Sequence, residues 1–327
     1  MTLCTLVLSS DQIETAARFL LNGEIVAFPT ETVYGLGAPI FYPESIAKIY
    51  QIKNRPVDNP LIAHISNLEQ LKSIAIDIPQ EVERLAAAFW PGPLTIVCKR
   101  HPSVPASVSA GLDTIAVRMP NHPVALALIE RVGEPLVAPS ANLSGKPSPT
   151  VAAHVIEDLA NSIAAVIDGG SSLIGIESTV VNLLGKHPVI LRPGAITELA
   201  LQEVLQRPVE FYSCSDGRHE GEQLSSPGMK YRHYAPKAPL KLFFDREKLF
   251  DYLIAQTEKV LLLSNDICFS LLANGAHFPL CSKTLYCSLR YADSEHFEQV
   301  LAYCDKNIIK DRALMDRLTR ASAVVCV

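Results

Sequence analysis

The 327-residue sequence predicts an α/β protein. The expected architecture is a twisted mixed sheet with flanking helices over 1–206, a polar linker over 207–238, and a small Rossmann-like α/β domain over 239–327. Three observations predict it. Short apolar runs of strand length alternate with stretches of helical period from residue 11 onward, the pattern of a sheet covered by helices. The alternation stops near residue 207, where a polar stretch rich in Gly, Pro and Ser begins. It resumes near residue 239 and continues to the last residues.

In order, DQIETAARFLLNG places Ile13, Ala16, Ala17, Leu20 and Leu21 on one helical face, with Asp11 near its start and Gly23 past its end. EIVAF is a short buried strand. PESIAKIYQI is a helix with Pro43 in its first turn. LIAHI is a strand, and PQEVERLAAAFW is a helix stopped by Pro91, Gly92 and Pro93. LTIVCKR and TIAVRM are strands, and PVALALIERVG is a helix ending at Gly133. LVAPSA, AAVID, STVVNLL and PVILRPG read as strands, VAAHVIEDLA and ITELALQEVLQ as helices. Beyond the linker, LKLFF, KVLLLS and SAVVCV read as strands, and FDYLIAQT, DSEHFEQVLAYC and ALMDRLTRA as helices.

Composition narrows the function classes. Apolar residues make up 48% and charged residues 19%, enough for a core and unlike a disordered chain. The formal net charge is −5, which argues against strong nucleic-acid binding through phosphate neutralisation. The eight cysteines form no C-x-x-C pair and have no zinc-site spacing to histidines. MTLCTLVLSSDQIE has no basic leader pattern, and no apolar run reaches the roughly 18 residues of a membrane span. The expectation is a reduced, cytoplasmic protein with free thiols and no membrane contact.

The chain has no P-loop and no G-x-S-x-G elbow. YGLGAPI starts like a dinucleotide fingerprint but lacks its last glycine. What remains is a set of polar loops at strand ends. PTETVYGLG offers the hydroxyls of Thr30 and Thr32 in a tight turn, which serves equally as a purely structural turn. In KNRP, Lys53 and Arg55 flank Asn54 just before Pro56; an extended, pre-proline conformation would point both cations to one side as a phosphate clamp, or both could be solvated. APSANLSGKPSPT supplies Ser140, Asn142, Ser144 and Ser148 with little bulk. GIESTVVNL carries Ser178 and Thr179, and Arg118 and Arg192 each end an apolar strand, as ion-pair partners or anion ligands. Strand-end loops are where open α/β sheets bind ligands. The residues alone therefore point to a small-ligand site that suits a polyanion such as a nucleoside triphosphate.

Taken in order, PTETVYGLG, KNRP, PSANLSG, STVV and LRPG resemble the YrdC-like family of threonylcarbamoyl-AMP synthases, over nearly all of residues 10–200. SPGMKYRHYAP followed by a small α/β domain resembles the long, two-domain form, whose linker folds back over the active site. The resemblance implies a YrdC-like catalytic domain and an L-threonylcarbamoyladenylate synthase, a nucleotidyltransferase using L-threonine, bicarbonate and ATP. The carbamate of threonine attacks the α-phosphate and pyrophosphate leaves. A tRNA-modifying threonylcarbamoyl transferase complex then receives the product for the adenosine next to the anticodon. Mg²⁺ would arrive with ATP, with no tightly bound cofactor and no protein-held metal site. Family members are also linked with double-stranded RNA and ribosome maturation. An RNA-binding module is thus the alternative, and a weak tRNA or double-stranded RNA contact an accompanying expectation.

By the same resemblance, L-threonine meets Thr32, His64, Arg118, Ser140 and Ser178, with Arg118 on its carboxylate. ATP meets Lys53, Arg55, Asn59, Thr114, Ala138, Ser148, Arg192 and Tyr234 of the linker, with Tyr231 as the alternative register. Lys53 and Arg55 are the expected catalytic cations. Asn182 stands just past STVV where an acidic residue is expected.

Overall fold

The computed structural model describes residues 4–212, 233–271 and 275–326. The chain separates into two compact units, 1–144 with 149–230, and 145–148 with 231–327.

Among the described residues the first unit holds one mixed sheet of twelve strands. Across it run Leu6–Ser9, Ala165–Asp168, Val26–Phe28, Gly35–Pro39, Leu136–Val137, Ile62–His64, Thr114–Arg118, Leu94–Arg100, Thr179–Asn182, Val189–Arg192 and Glu210–Phe211, with Ala75–Ile76 paired to the far end of Leu94–Arg100. Both faces are covered. In the strand Val26–Phe28, Ala27 packs into one apolar cluster while Val26 and Phe28 pack into another on the opposite face. A central strand with two buried faces reads as continuous apolar sequence, as EIVAF does. Close backbone approach explains the glycines beside it: a Cβ at Gly37 would sit 2.8 Å from the Phe28 ring.

Four strands end together at one edge. Ile62–His64 lies parallel to Thr114–Arg118 with His64 opposite Arg118. Thr114–Arg118 runs antiparallel to Leu94–Arg100, with Val117 opposite Ile96. Leu94–Arg100 in turn pairs with Thr179–Asn182, with Val180 opposite Thr95. Register therefore brings residues from four separate motifs side by side.

The second unit is an all-parallel five-stranded sheet among its described residues, ordered Gly275–Phe278, Val260–Leu263, Gln299–Tyr303, Leu240–Phe243 and Val324–Cys326. It is Rossmann-like in its parallel strands and helical crossovers. Its strands run third, second, fourth, first, fifth rather than in the dinucleotide-binding order.

Three local expectations are corrected. The helix expected over DSEHFEQVLAYC is the last turn of the helix Leu285–Ser294 followed by the buried strand Gln299–Tyr303; the run QVLAY is short and apolar, and length separates such strands from helices. The expected linker begins with a strand, since Glu210–Phe211 pairs with Val189–Ile190, and most of the remaining linker, including Tyr231, lies outside the described residues. The extended clamp at KNRP is also absent. The helix Pro43–Lys53 continues through Lys53 and stops at Asn54, whose φ is 50°, because Asn tolerates the left-handed cap.

Candidate active site

The centre of the site is Arg118, the last residue of its strand and 4% exposed. Its Nη1 donates to Thr32 Oγ1 at 2.7 Å and its Nε to the Gly92 carbonyl at 3.2 Å. Its Nη2 stands 2.6 Å from Oε1 of Glu31. That ion pair is off hydrogen-bond angle, so Arg118 Nη2 and both Glu31 carboxylate oxygens are buried without a hydrogen-bond partner among the described residues. A buried polar group without a partner costs free energy that a ligand can recover.

The turn carrying Glu31 and Thr32 is held by its own hydroxyls and by main-chain bonds. Thr30 Oγ1 donates to the Val33 carbonyl at 2.6 Å and lies 2.9 Å from Thr32 Oγ1. Ile174 N donates to the Glu31 carbonyl, and Ser172 Oγ to the Thr30 carbonyl. His64 is buried beside Arg118, with Nδ1 3.2 Å from the Ile62 carbonyl. Burial, and secondarily the Arg118 charge, push its pKa down to about 3, so the imidazole is neutral near pH 7 and can accept or donate a hydrogen bond without adding charge.

On the other side of Arg118, Thr95 Oγ1 and Ser178 Oγ are 2.7 Å apart. Arg192 donates from Nε to the Ser178 carbonyl at 3.1 Å and from Nη2 to Ser178 Oγ at 3.2 Å. The LRPG glycine is there for space: a Cβ on Gly194 would lie 2.3 Å from Thr179 N and 2.6 Å from the Ser178 carbonyl carbon.

Lys53, 1% exposed, sends Nζ into the PSAN loop, donating at 2.5 Å to the carbonyls of both Ser140 and Asn142. Arg55 turns elsewhere, donating to the carbonyls of Asn59 at 3.2 Å and Pro60 at 2.9 Å. Asn59 is buried, and its Nδ2 lacks a hydrogen-bond partner among the described residues. Thr114 opens the strand that Arg118 closes, about 13 Å away at strand rise. Extending the register Ile62 to Ala116 puts Thr114 opposite Pro60, beside Arg55 and Asn59. Ala138 is buried and donates its N–H to the Ile62 carbonyl.

The first unit thus gathers Thr32, His64, Arg118 and Ser178 at one end of the strand set, and Arg55, Asn59 and Thr114 at the other. Ser148 and Tyr234 belong to the second unit. There Tyr234 is buried, stacks on Tyr286 at 5.3 Å and lies under the Arg317 guanidinium at 5.7 Å. Two site residues escaped the sequence reading. Glu31 stands between the noted threonines, and a carboxylate in the turn directly after the buried strand EIVAF was its only signal. Thr95 is the lone hydroxyl in the apolar run LTIVC. Among the described residues no group of three or more His, Cys, Asp or Glu side chains is placed to hold a metal ion, and no helix is long and apolar enough to cross a membrane.

The Sua5–YciO–YrdC family, whose description reads "Telomere recombination", matches residues 18–194, and the family described as "Threonylcarbamoyl-AMP synthase, C-terminal domain" matches 196–323. A threonylcarbamoyl-AMP synthase of Bacillus subtilis is 41% identical over 325 residues, 95% of this chain and 93% of that protein. The chain belongs to the threonylcarbamoyl-AMP synthase family. A second family member, from Pyrococcus abyssi, is 50% identical over 227 residues, 69% of this chain and 66% of the relative. The crystal structure of P. abyssi Sua5 complexed with L-threonine is similar with a TM-score of 0.87 at 39% identity, covering 99% of this chain and 100% of that one. The motifs quoted from the sequence supply residues of the site built above: PTETVYGLG carries Glu31 and Thr32, STVV opens with Ser178, and LRPG carries Arg192.

Proposed function

We propose that this chain is an L-threonylcarbamoyladenylate synthase, joining L-threonine, bicarbonate and ATP into threonylcarbamoyl-AMP and pyrophosphate for the modification of tRNA. One observation carries the reading: the buried Arg118 fork, flanked by Thr32, His64 and the Thr95–Ser178 pair, in a chain that matches synthases over nearly its whole length. The Arg118 fork suits the threonine carboxylate, with bidentate recognition specific to guanidinium. His64, neutral, and the hydroxyls of Thr32 and Ser178 suit the side chain and carbamate. The main chain of Ser140 is tied to Lys53, so the PSAN loop is set in place before substrate arrives.

Within the first unit ATP extends toward Arg55, Asn59, Thr114 and Ala138, with Arg192 as a further contact; Ser148 and Tyr234, which belong to the second unit, are nucleotide contacts by the family resemblance alone. Asn59 Nδ2 is the donor best placed by its missing partner. Lys53 and Arg55 are the proposed cations for the charge that grows on the phosphates. No covalent nucleophile is required, because positioning and electrostatic stabilisation suffice for adenylate formation. Mg²⁺ enters as part of the ATP substrate. The division into a catalytic domain over 1–206 and a small domain over 239–327 belongs to the same reading, with the intervening segment expected as a lid lying, past its strand Glu210–Phe211, largely outside the described residues; so do cytoplasmic action, delivery of the product to a tRNA-modifying transferase complex and a weak tRNA contact.

The test is pyrophosphate release from ATP with and without L-threonine and bicarbonate, and with L-serine instead. Release that requires both co-substrates and prefers threonine is expected. ATP binding without such release would overturn the synthase reading.

A further inference from the structure

Glu31 has no part in the contacts proposed so far, and it is the least comfortable group in the site. It is 3% exposed, its backbone is pinned by Ile174 N, and its side chain meets Arg118 at ion-pair distance without a hydrogen bond from any described residue to either oxygen. A buried ion pair with poor angles recovers little of its desolvation cost. Among the described residues neither nearby imidazole is a better partner. His64 is neutral beside Arg118. His122, the other imidazole in range of the Glu31 charge, is half-buried and has its pKa lowered by desolvation, while its Nδ1 accepts from Val124 N at the start of the helix Pro123–Val132.

The missing partner has a definite chemistry. An α-amino acid brings a carboxylate and an ammonium on one carbon. A ligand whose carboxylate takes the Arg118 fork carries its ammonium to the group next to that fork, which is Glu31. We propose that Glu31 is the ammonium subsite of the amino-acid pocket. The Arg118–Glu31 pair opens to admit a zwitterion, and each buried charge exchanges a misaligned partner for a charge-assisted hydrogen bond. The inference rests on the threonine reading of the pocket. It adds that free amino acids are selected by their nitrogen as well as by their carboxylate, and that 2-hydroxy acids of the same shape are excluded by a buried carboxylate left facing a hydroxyl.

The experiment is calorimetric titration of the full chain with L-threonine and with (2S,3R)-2,3-dihydroxybutanoate, in which a hydroxyl replaces the ammonium, for wild type and Glu31→Gln. Wild type is expected to prefer threonine strongly. Glu31→Gln is expected to lose about tenfold to a hundredfold of its threonine affinity, the range for one hydrogen bond to a charged group, and to keep or gain affinity for the hydroxy acid. Equal weakening of both ligands would mean that Glu31 only props Arg118, and would overturn the proposal. So would unchanged threonine affinity. If Glu31→Gln does not fold, the wild type decides: equal affinity for both ligands overturns the subsite, and strong preference for threonine, retained in part by Glu31→Asp, supports it. Wild type that binds no threonine overturns this proposal and the synthase reading together, whereas the variant results bear on the subsite alone.

Discussion

His64 gives the chain a built-in sensitivity to acid. In the folded protein its pKa is about 3, because burial, and then the Arg118 charge, oppose protonation; in the unfolded chain it returns to about 6.5. The sign follows from proton uptake. Above about pH 6.5 neither state is protonated and stability is full; below it the unfolded state takes up a proton that the folded state refuses, so stability falls until the folded pKa is reached. At pH 5 the loss is about 2 kcal/mol relative to pH 8, close to 1.36 kcal/mol per pH unit below 6.5. The perturbation is His64→Asn, whose amide can still donate to the Ile62 carbonyl but does not titrate. The assay is urea unfolding at pH 8, 7, 6 and 5 followed by Trp90, the sole tryptophan and a residue of the first unit. Acidification from pH 8 to 5 is expected to cost wild type about 2 kcal/mol more than the variant. Other groups, including His122, titrate in both proteins and cancel in the difference. Parallel pH profiles would refute the reasoning, since His64 would then titrate alike folded and unfolded.

Gly194→Ala is expected to destabilise the first unit by about 1–3 kcal/mol, the usual cost of overpacking, because the added Cβ meets backbone at Thr179 and Ser178; urea unfolding checks it, and wild-type stability would contradict the steric reading. Lys53→Met removes both carbonyl contacts to the PSAN loop and should cost about 1–3 kcal/mol through unsatisfied buried acceptors, with faster hydrogen exchange across 140–144 as the local readout. Native thiol labelling mapped by mass spectrometry should modify the exposed Cys4, Cys268 and Cys281 but spare Cys98 and Cys304, which are buried with thiol pKa values pushed up to about 12; rapid labelling of Cys98 would contradict its burial.

The alternation of apolar runs and helical periods was readable because each element's partition between core and solvent is written locally. DQIETAARFLLNG became the helix Ile13–Leu21, and EIVAF, LTIVCKR and TIAVRM became central strands. Reading failed where local pattern was ambiguous. QVLAY has the length of a strand but follows a helical stretch, and KNRP reads as extended although a left-handed Asn lets the preceding helix run on through Lys53.

By itself, then, the sequence determined the α/β class, the polar motifs at strand ends and their order, since these depend on neighbours a few residues away. The tertiary structure alone decided which motifs meet. Arg118 reaches Thr32 across 86 residues, Ser178 reaches Thr95 across 83, and Lys53 reaches Ser140 across 87. Those meetings follow from sheet order and register, which are set by how many strands pack around shared cores rather than by any one strand's pattern. The same register left Glu31 buried against Arg118, a pairing that the four letters PTET do not announce.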